Sequence, residues 1–258
     1  MNKVVALAGV VIRELYRRKD FYVLFVLVAL ITLLLGSVNI FNDDKVVRYL
    51  KEVCLLLIWI AALVIAVTTA ARQIPFEREN RTIFPLLAKP VSRAELVLGK
   101  FLGCWLACGV ALVAFYAFFA LITAAREHNL PVASYFQAFW LHWMMLAIVI
   151  AFTLLGSLWF TAPSVNTTIT LILVAGTLVV GRHLNKVAAQ LPEPLGWFVS
   201  PIYFAMPHLE LFDVRDLIVH NWKPVAWSAW SLASLYAVGY AALFLGSACL
   251  VFRRKPVN

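Results

Sequence analysis

The chain has 258 residues, 63% of them hydrophobic and 14% charged, with a mean hydropathy of +0.88. A soluble domain carries about 25% charged and 45–50% apolar residues, so a water-covered globule is excluded for want of polar surface. Eleven Gly and 11 Pro are too few for a disordered or collagen-like chain, and the net charge of +9 has to be explained by where the basic residues fall.

Residues 2–18 begin with Lys3 and a short apolar stretch, then meet Arg13, Glu14, Arg17, Arg18 and Lys19. No small-residue cleavage site follows, which argues against a signal peptide. The stretch is too short to cross a bilayer and is read as an amphipathic helix in the membrane interface, with Arg13, Arg17 and Arg18 near headgroups. A spanning helix needs about 20 mainly apolar residues. Six segments are predicted to span: 21–40, 53–71, 101–125, 139–160, 165–181 and 227–252, the fifth being the shortest. None holds an Asp, Glu, Lys or Arg, and their apolar runs are continuous rather than alternating, which excludes barrel strands. The expected fold is one all-α integral membrane domain, residues 1–258, with six transmembrane helices.

Lys and Arg in the flanks set orientation. With the N-terminus in the cytoplasm, the inner segments hold 14 of the 22 basic residues and five of the 13 acids, and the outer segments hold eight of each. The whole charge of +9 then lies on one face, with both termini inside a bacterial-type cytoplasmic (inner) membrane. The basic balance thus reports membrane orientation, and no nucleic-acid partner is expected. Cys54, Cys104, Cys108 and Cys249 all fall in apolar runs and read as small core residues. Cys104 and Cys108 are one turn apart but lack a His or acid at ligand spacing.

The outer segments differ. Residues 42–52 and 126–138 are short. Residues 182–226 are long and carry Pro192, Pro194, Pro201, Pro207 and Pro224. Their most apolar part, 195–206, is too short to span. It reads as re-entrant or interfacial helices with Trp197, Phe198, Tyr203 and Phe204 at headgroup depth, or as a plain structured loop. His208, Glu210, Asp213, Asp216 and His220 cluster without a zinc template. The bland reading is a solvated amphipathic helix whose Leu209, Phe212 and Leu217 face the membrane, with an Arg215 salt bridge as the alternative.

The connection Arg72–Lys100 carries the most information. Thr82 to Ala88 (TIFPLLA) is a short potential helix, and Lys89-Pro90 ends it, because proline disfavours helical geometry in the residue before it. Ser92-Arg93-Ala94-Glu95 is a capping-box signature, so a new helix is predicted to start at Arg93 and enter the third span. A short helix held between two spans is well placed to receive force from a cytoplasmic partner. Arg72, Arg78, Arg81, Lys89 and Arg93 offer charge, and Ile83, Phe84, Leu86 and Leu87 an apolar face. The bland alternative is that the basic residues only touch headgroups. Gly99-Lys100 is no phosphate loop, since Phe101 stands where Ser or Thr is required.

The run E-R-E-N-R-T-I-F-P-L-L-A-K-P-V-S-R-A-E-L-V-L-G-K, residues 77–100, resembles the signature loop of the ABC-2 family of ABC transporter permeases. Glu77 or Glu79 matches the family's acid, Thr82 its threonine, and Leu86-Leu87 its apolar pair. Pro90, Val91, Ser92 and Arg93 match the turn, and Glu95, Gly99 and Lys100 the rest. Arg81, where the family often has Gly, and Pro85 depart from the pattern. The resemblance covers about 25 residues and is supported by the layout of spans, the long outer loop and the basic tail. It implies a permease without chemistry of its own, whose short helix docks as a coupling helix on a separate ABC ATPase dimer. It further implies a second membrane subunit, identical or homologous, and export rather than import. No cofactor is expected in this chain, with ATP and Mg belonging to the partner.

The spans lack the mid-membrane acids and bases usual in proton-coupled carriers, which agrees with energy supplied from outside the membrane. Thr68, Thr69, Thr153, Ser157, Thr167, Thr168 and Thr170 read as helix-packing groups, with lining of a path as the alternative. Uncharged spans favour a lipidic or amphipathic substrate. The second hypothesis is an anchor or assembly scaffold whose 182–226 loop grips an extracytoplasmic partner; in either case an extracytoplasmic accessory protein is a candidate partner. An intramembrane enzyme built on the His and acid cluster is the remote third.

Overall fold

A computed structural model describes residues 3–17, 19–37, 44–79, 92–127, 131–190 and 206–254. Among these residues the regular structure is entirely helical. The helices are α1 (Lys3–Arg17), α2 (Lys19–Ser37), α3 (Asp44–Glu79), α4 (Arg93–Glu127), α5 (Val132–Trp159), α6 (Pro163–Gln190), α7 (Arg215–Val219) and α8 (Trp227–Arg254), with a 3-10 turn at Leu209–Phe212 before α7.

Four stretches among the described residues are long and apolar enough to cross a membrane: Val47–Glu79, Arg93–Ala125, Val132–Trp159 and Trp227–Arg254. Two shorter apolar stretches, Tyr22–Leu33 and Pro163–Val179, fall where the first and fifth spans were expected. The chain is an all-α, multi-pass membrane protein.

The helices outrun the apolar segments that mark them. α3 begins at Asp44, inside a stretch read from sequence as a polar connection, and continues through Arg72 to Glu79. Lys, Arg, Glu and Leu are strong helix formers, and no Gly or Pro interrupts residues 44–71. Hydropathy therefore ends where the helix does not. Pro75 sits within the final turns of α3 and removes one amide from their hydrogen-bond ladder. α6 likewise runs to Gln190, beyond its expected end at 181, since the next proline is Pro192.

α5 is the central helix. Met144 to Ala151 is buried without interruption, as expected of a helix that is apolar all round and enclosed by others. α8 is far less enclosed than α5 and shows Leu232, Leu235, Val238 and Leu250 to the outside. α3 and α4 flank α5, and the short α1 lies against the start of α4. One end of the bundle gathers the close of α3, the start of α4 and the close of α8, and is called here the motif end. The opposite end carries residues 206–226 and is called the cap end.

The cap departs from the expected solvated helix. Leu209 and Phe212 are buried, as are Ile218 and Val219, so its apolar side turns into the protein's own core rather than toward lipid. Enough apolar side chains lie in this stretch to fold it down onto α3, α5 and α8. Residues 195–205, expected to include re-entrant or interfacial elements, lie outside the described residues.

Candidate functional site

The Ser92–Glu95 box forms. The Glu95 amide donates to Ser92 Oγ at 3.2 Å, and the Ser92 amide donates to Glu95 Oε2 at 2.6 Å. Each side chain satisfies an amide that the first helical turn leaves without a partner. Leu96 N then bonds to Ser92 O at 3.1 Å, starting the ladder of α4.

One turn further along, Lys100 meets Glu77 across the gap between α4 and α3. Lys100 Nζ lies 2.5 Å from Glu77 Oε1, with both side chains at most 10% exposed. Charges are buried at this depth only when paired, because desolvating either one alone is costly. The pair thus fixes the end of α3 to the start of α4, on either side of residues 80–91. Gln73, one turn before Glu77, is buried too, and its Oε1 has no hydrogen-bond partner.

Arg93 turns toward α8. Its Nη1 donates to Phe252 O at 2.5 Å and to Arg253 O at 3.2 Å, and the guanidinium sits 5.4 Å from the centre of the Phe252 ring. The last carbonyls of a helix have no partner within it, and a cation there also meets the negative end of the helix dipole.

Gly99 and Gly103 bring α1 close. A Cβ on Gly99 would lie 2.6 Å from Leu7 Cβ, and one on Gly103 2.6 Å from Val11 Cβ. Small residues four apart let two helices approach backbone to backbone. A cleft of about 550 Å³ opens between the close of α3 and the start of α6. Arg72, Phe76 and Glu79 line it from α3, and Ser164, Thr167 and Thr168 from α6. The hydroxyls of Thr68, Thr167 and Thr168 each donate to a carbonyl of their own helix, which satisfies them within apolar segments.

Of the residues singled out from sequence, Glu77, Ser92, Arg93, Glu95, Gly99 and Lys100 are therefore brought together at one end of the bundle. Glu79 stands apart, exposed at the rim of the cleft. Arg81, Thr82, Ile83, Phe84, Leu86, Leu87, Pro90 and Val91 lie outside the described residues. The tie between Arg93 and α8 spans 159 positions, and nothing local to either end announces it. The α1 contact did have a signal, in the glycines at 99 and 103.

The cap end holds a second polar group. Lys51, 1% exposed, donates to Ile218 O at 3.3 Å and Asn221 Oδ1 at 3.1 Å. Asn221 has φ of 52°, a left-handed conformation that Asn tolerates better than most residues. Gln137 bonds twice to Val225, donating to its carbonyl and accepting from its amide, both at 2.9 Å. Arg215 forms the ion pair that was the alternative to a solvated helix, reaching Asp213 at 2.7 and 2.8 Å. Burial works against its charge, yet its bond to Asp213 and the charge there hold the guanidinium above its ordinary pKa. It also lies over Trp59 at 5.1 Å. Beneath, Trp59 stacks on His142 at 4.9 Å, and His142 is buried with Nε2 unpartnered. His142 lies on α5, on the side that the neighbouring helices cover.

A multi-pass helical membrane component, with its polar contacts gathered at the two ends of the bundle, is what this arrangement defines. The chain belongs to the ABC-2 family of transporter proteins: the family model described as ABC-2 family transporter protein matches residues 6–257. It is accordingly a permease component of an ABC transporter, and membership of this family makes it a non-catalytic transmembrane subunit. A search of curated proteins returned no match.

Proposed function

We propose that this permease couples to a separate ABC ATPase through residues 72–100, with six crossings, both termini in the cytoplasm of a bacterial-type inner membrane, and substrate moved outward. In this reading the motif end faces the cytoplasm, and ATP and Mg are bound by the partner dimer. The membrane domain pairs with a second such subunit. The buried Glu77–Lys100 pair is the observation that carries it. It closes the base of the 80–91 segment, so a push on that segment is delivered to two spanning helices together rather than dissipated at one frayed end. The exposed Arg72 and Glu79 at the cleft add charge beside the same base.

The scaffold alternative receives less support, because Leu209, Phe212, Ile218 and Val219 are spent on the chain's own core. A lipidic or amphipathic substrate remains the class that the uncharged spans favour.

Co-purification with the ATPase encoded beside it tests the coupling. Leu86→Glu together with Leu87→Glu, at the expected docking face, should abolish both association and stimulated ATP hydrolysis while the chain still inserts. Unchanged association and turnover would refute the role given to this segment. Membrane-impermeant labels should reach a cysteine placed at position 85 only from the cytoplasmic side; labelling from outside would reverse the orientation.

A further inference from the structure

From the geometry around Arg93 we infer that it is a positioning residue that ties the exit of the coupling segment to the last helix, so that α8 moves with the start of α4. The inference rests on the coupling role proposed above and names the route by which its displacement spreads.

Arg93 is the first residue of α4, immediately after the Ser92 cap. Any shift of the segment that ends at Ser92 must therefore move its Cα. Its side chain turns to the end of α8. It donates to two successive carbonyls, Phe252 O and Arg253 O, in the final turn of α8. The guanidinium also lies over the Phe252 ring, and Phe252 itself is 0% exposed. A guanidinium whose Nη1 bonds two carbonyls while its carbon lies over an aromatic ring has little freedom to swing, so the link is stiff. α8 is the least enclosed of the four helices long and apolar enough to cross a membrane, and much of its surface faces outward. α8 otherwise touches α4 and α5 through side-chain packing, and Arg93 adds a directional polar bond from the first residue of α4 to the last turn of α8.

The test uses the permease–ATPase complex and compares amide hydrogen exchange without nucleotide and with ATP plus vanadate. In the unaltered complex, exchange should change with nucleotide both in residues 92–100 and in residues 248–254. In Arg93→Ala the 92–100 response should persist while the 248–254 response falls to background. Arg93→Lys, which keeps a donor but loses the planar guanidinium over Phe252, should retain a reduced response at 248–254. Loss of carbonyl capping alone would raise exchange in α8 equally in both states, so the nucleotide-dependent difference separates transmission from fraying. Where Arg93→Ala fails to assemble, Arg93→Gln compared with Arg93→Lys gives the same readout. A 248–254 response that survives Arg93→Ala or Arg93→Gln overturns the inference. So does an unaltered complex that responds at 92–100 and not at 248–254. Silence at both segments in the unaltered complex would instead overturn the coupling role itself, and the inference with it.

Discussion

The two ends of the bundle are fastened in different ways. At the motif end a few charged contacts carry the structure: Glu77 with Lys100, and Arg93 with the carbonyls of Phe252 and Arg253. At the cap end the fastening is spread over many groups from separate helices. Lys51 of α3 holds α7, Gln137 of α5 holds Val225, and Tyr236 of α8 accepts the His208 amide at 3.0 Å. Thr123 of α4 and Tyr135 of α5 meet at 2.8 Å beside them. On the coupling role proposed above, the motif end passes on a displacement, which calls for few, stiff links placed on the moving segment. A region that stays shut is better served by many links, none of them decisive.

Substitutions can break or sharpen that contrast. The largest effect is expected from Lys100→Met, which strands a buried carboxylate and should cost about 3–5 kcal/mol of stability, measured by thermal unfolding in detergent. Glu77→Gln with Lys100→Met should recover most of that stability without recovering ATPase stimulation; full recovery of both would show the pair to be structural only. Next comes Gln137→Leu, which leaves the amide and carbonyl of Val225 without partners, at about 1–3 kcal/mol. Here stimulation per folded molecule should remain within about twofold, and a loss as severe as that of Lys100→Met would erase the distinction between the ends. Gly103→Val forces Val11 of α1 aside and should cost about 1–3 kcal/mol, read as increased protease sensitivity of residues 3–17. Ser92→Ala should cost about 1 kcal/mol through loss of the cap, seen as faster exchange at residues 93–96, the smallest effect of the set.

The same contrast explains what could be read from the sequence. Spans declare themselves by composition, because hydrocarbon rejects charge residue by residue. The start of α4 was legible because a capping box is a local object: Ser92 and Glu95 are three positions apart and satisfy each other. Lys51 and Gln137 gave no such sign. Each looks like an ordinary polar residue near a span end, and its meaning lies in partners 167 and 88 positions away. The cap was misread for a related reason. Leu209, Phe212 and Leu217 have the spacing of a membrane-facing stripe, and spacing cannot tell lipid from protein as the apolar neighbour. Helix ends were misplaced where polar helix formers flank an apolar run, before it at 44–52 and after it at 182–190.

Between the two ends, Trp105 of α4 and Trp143 of α5 hold one another. Each indole N–H donates to the other residue's carbonyl, at 3.1 and 3.0 Å, and the rings lie 4.4 Å apart and 14° from parallel. Gly109 leaves room for the Trp143 ring, since a Cβ there would come within 2.6 Å of it. A slip of α4 along α5 by a single residue, about 1.5 Å, would break both bonds together. The two helices are in effect keyed like a shaft and collar, free to tilt as a unit and barred from sliding. Two indoles held this close and parallel should also couple optically, so near-ultraviolet circular dichroism offers a native gauge of whether that key stays seated through the transport cycle.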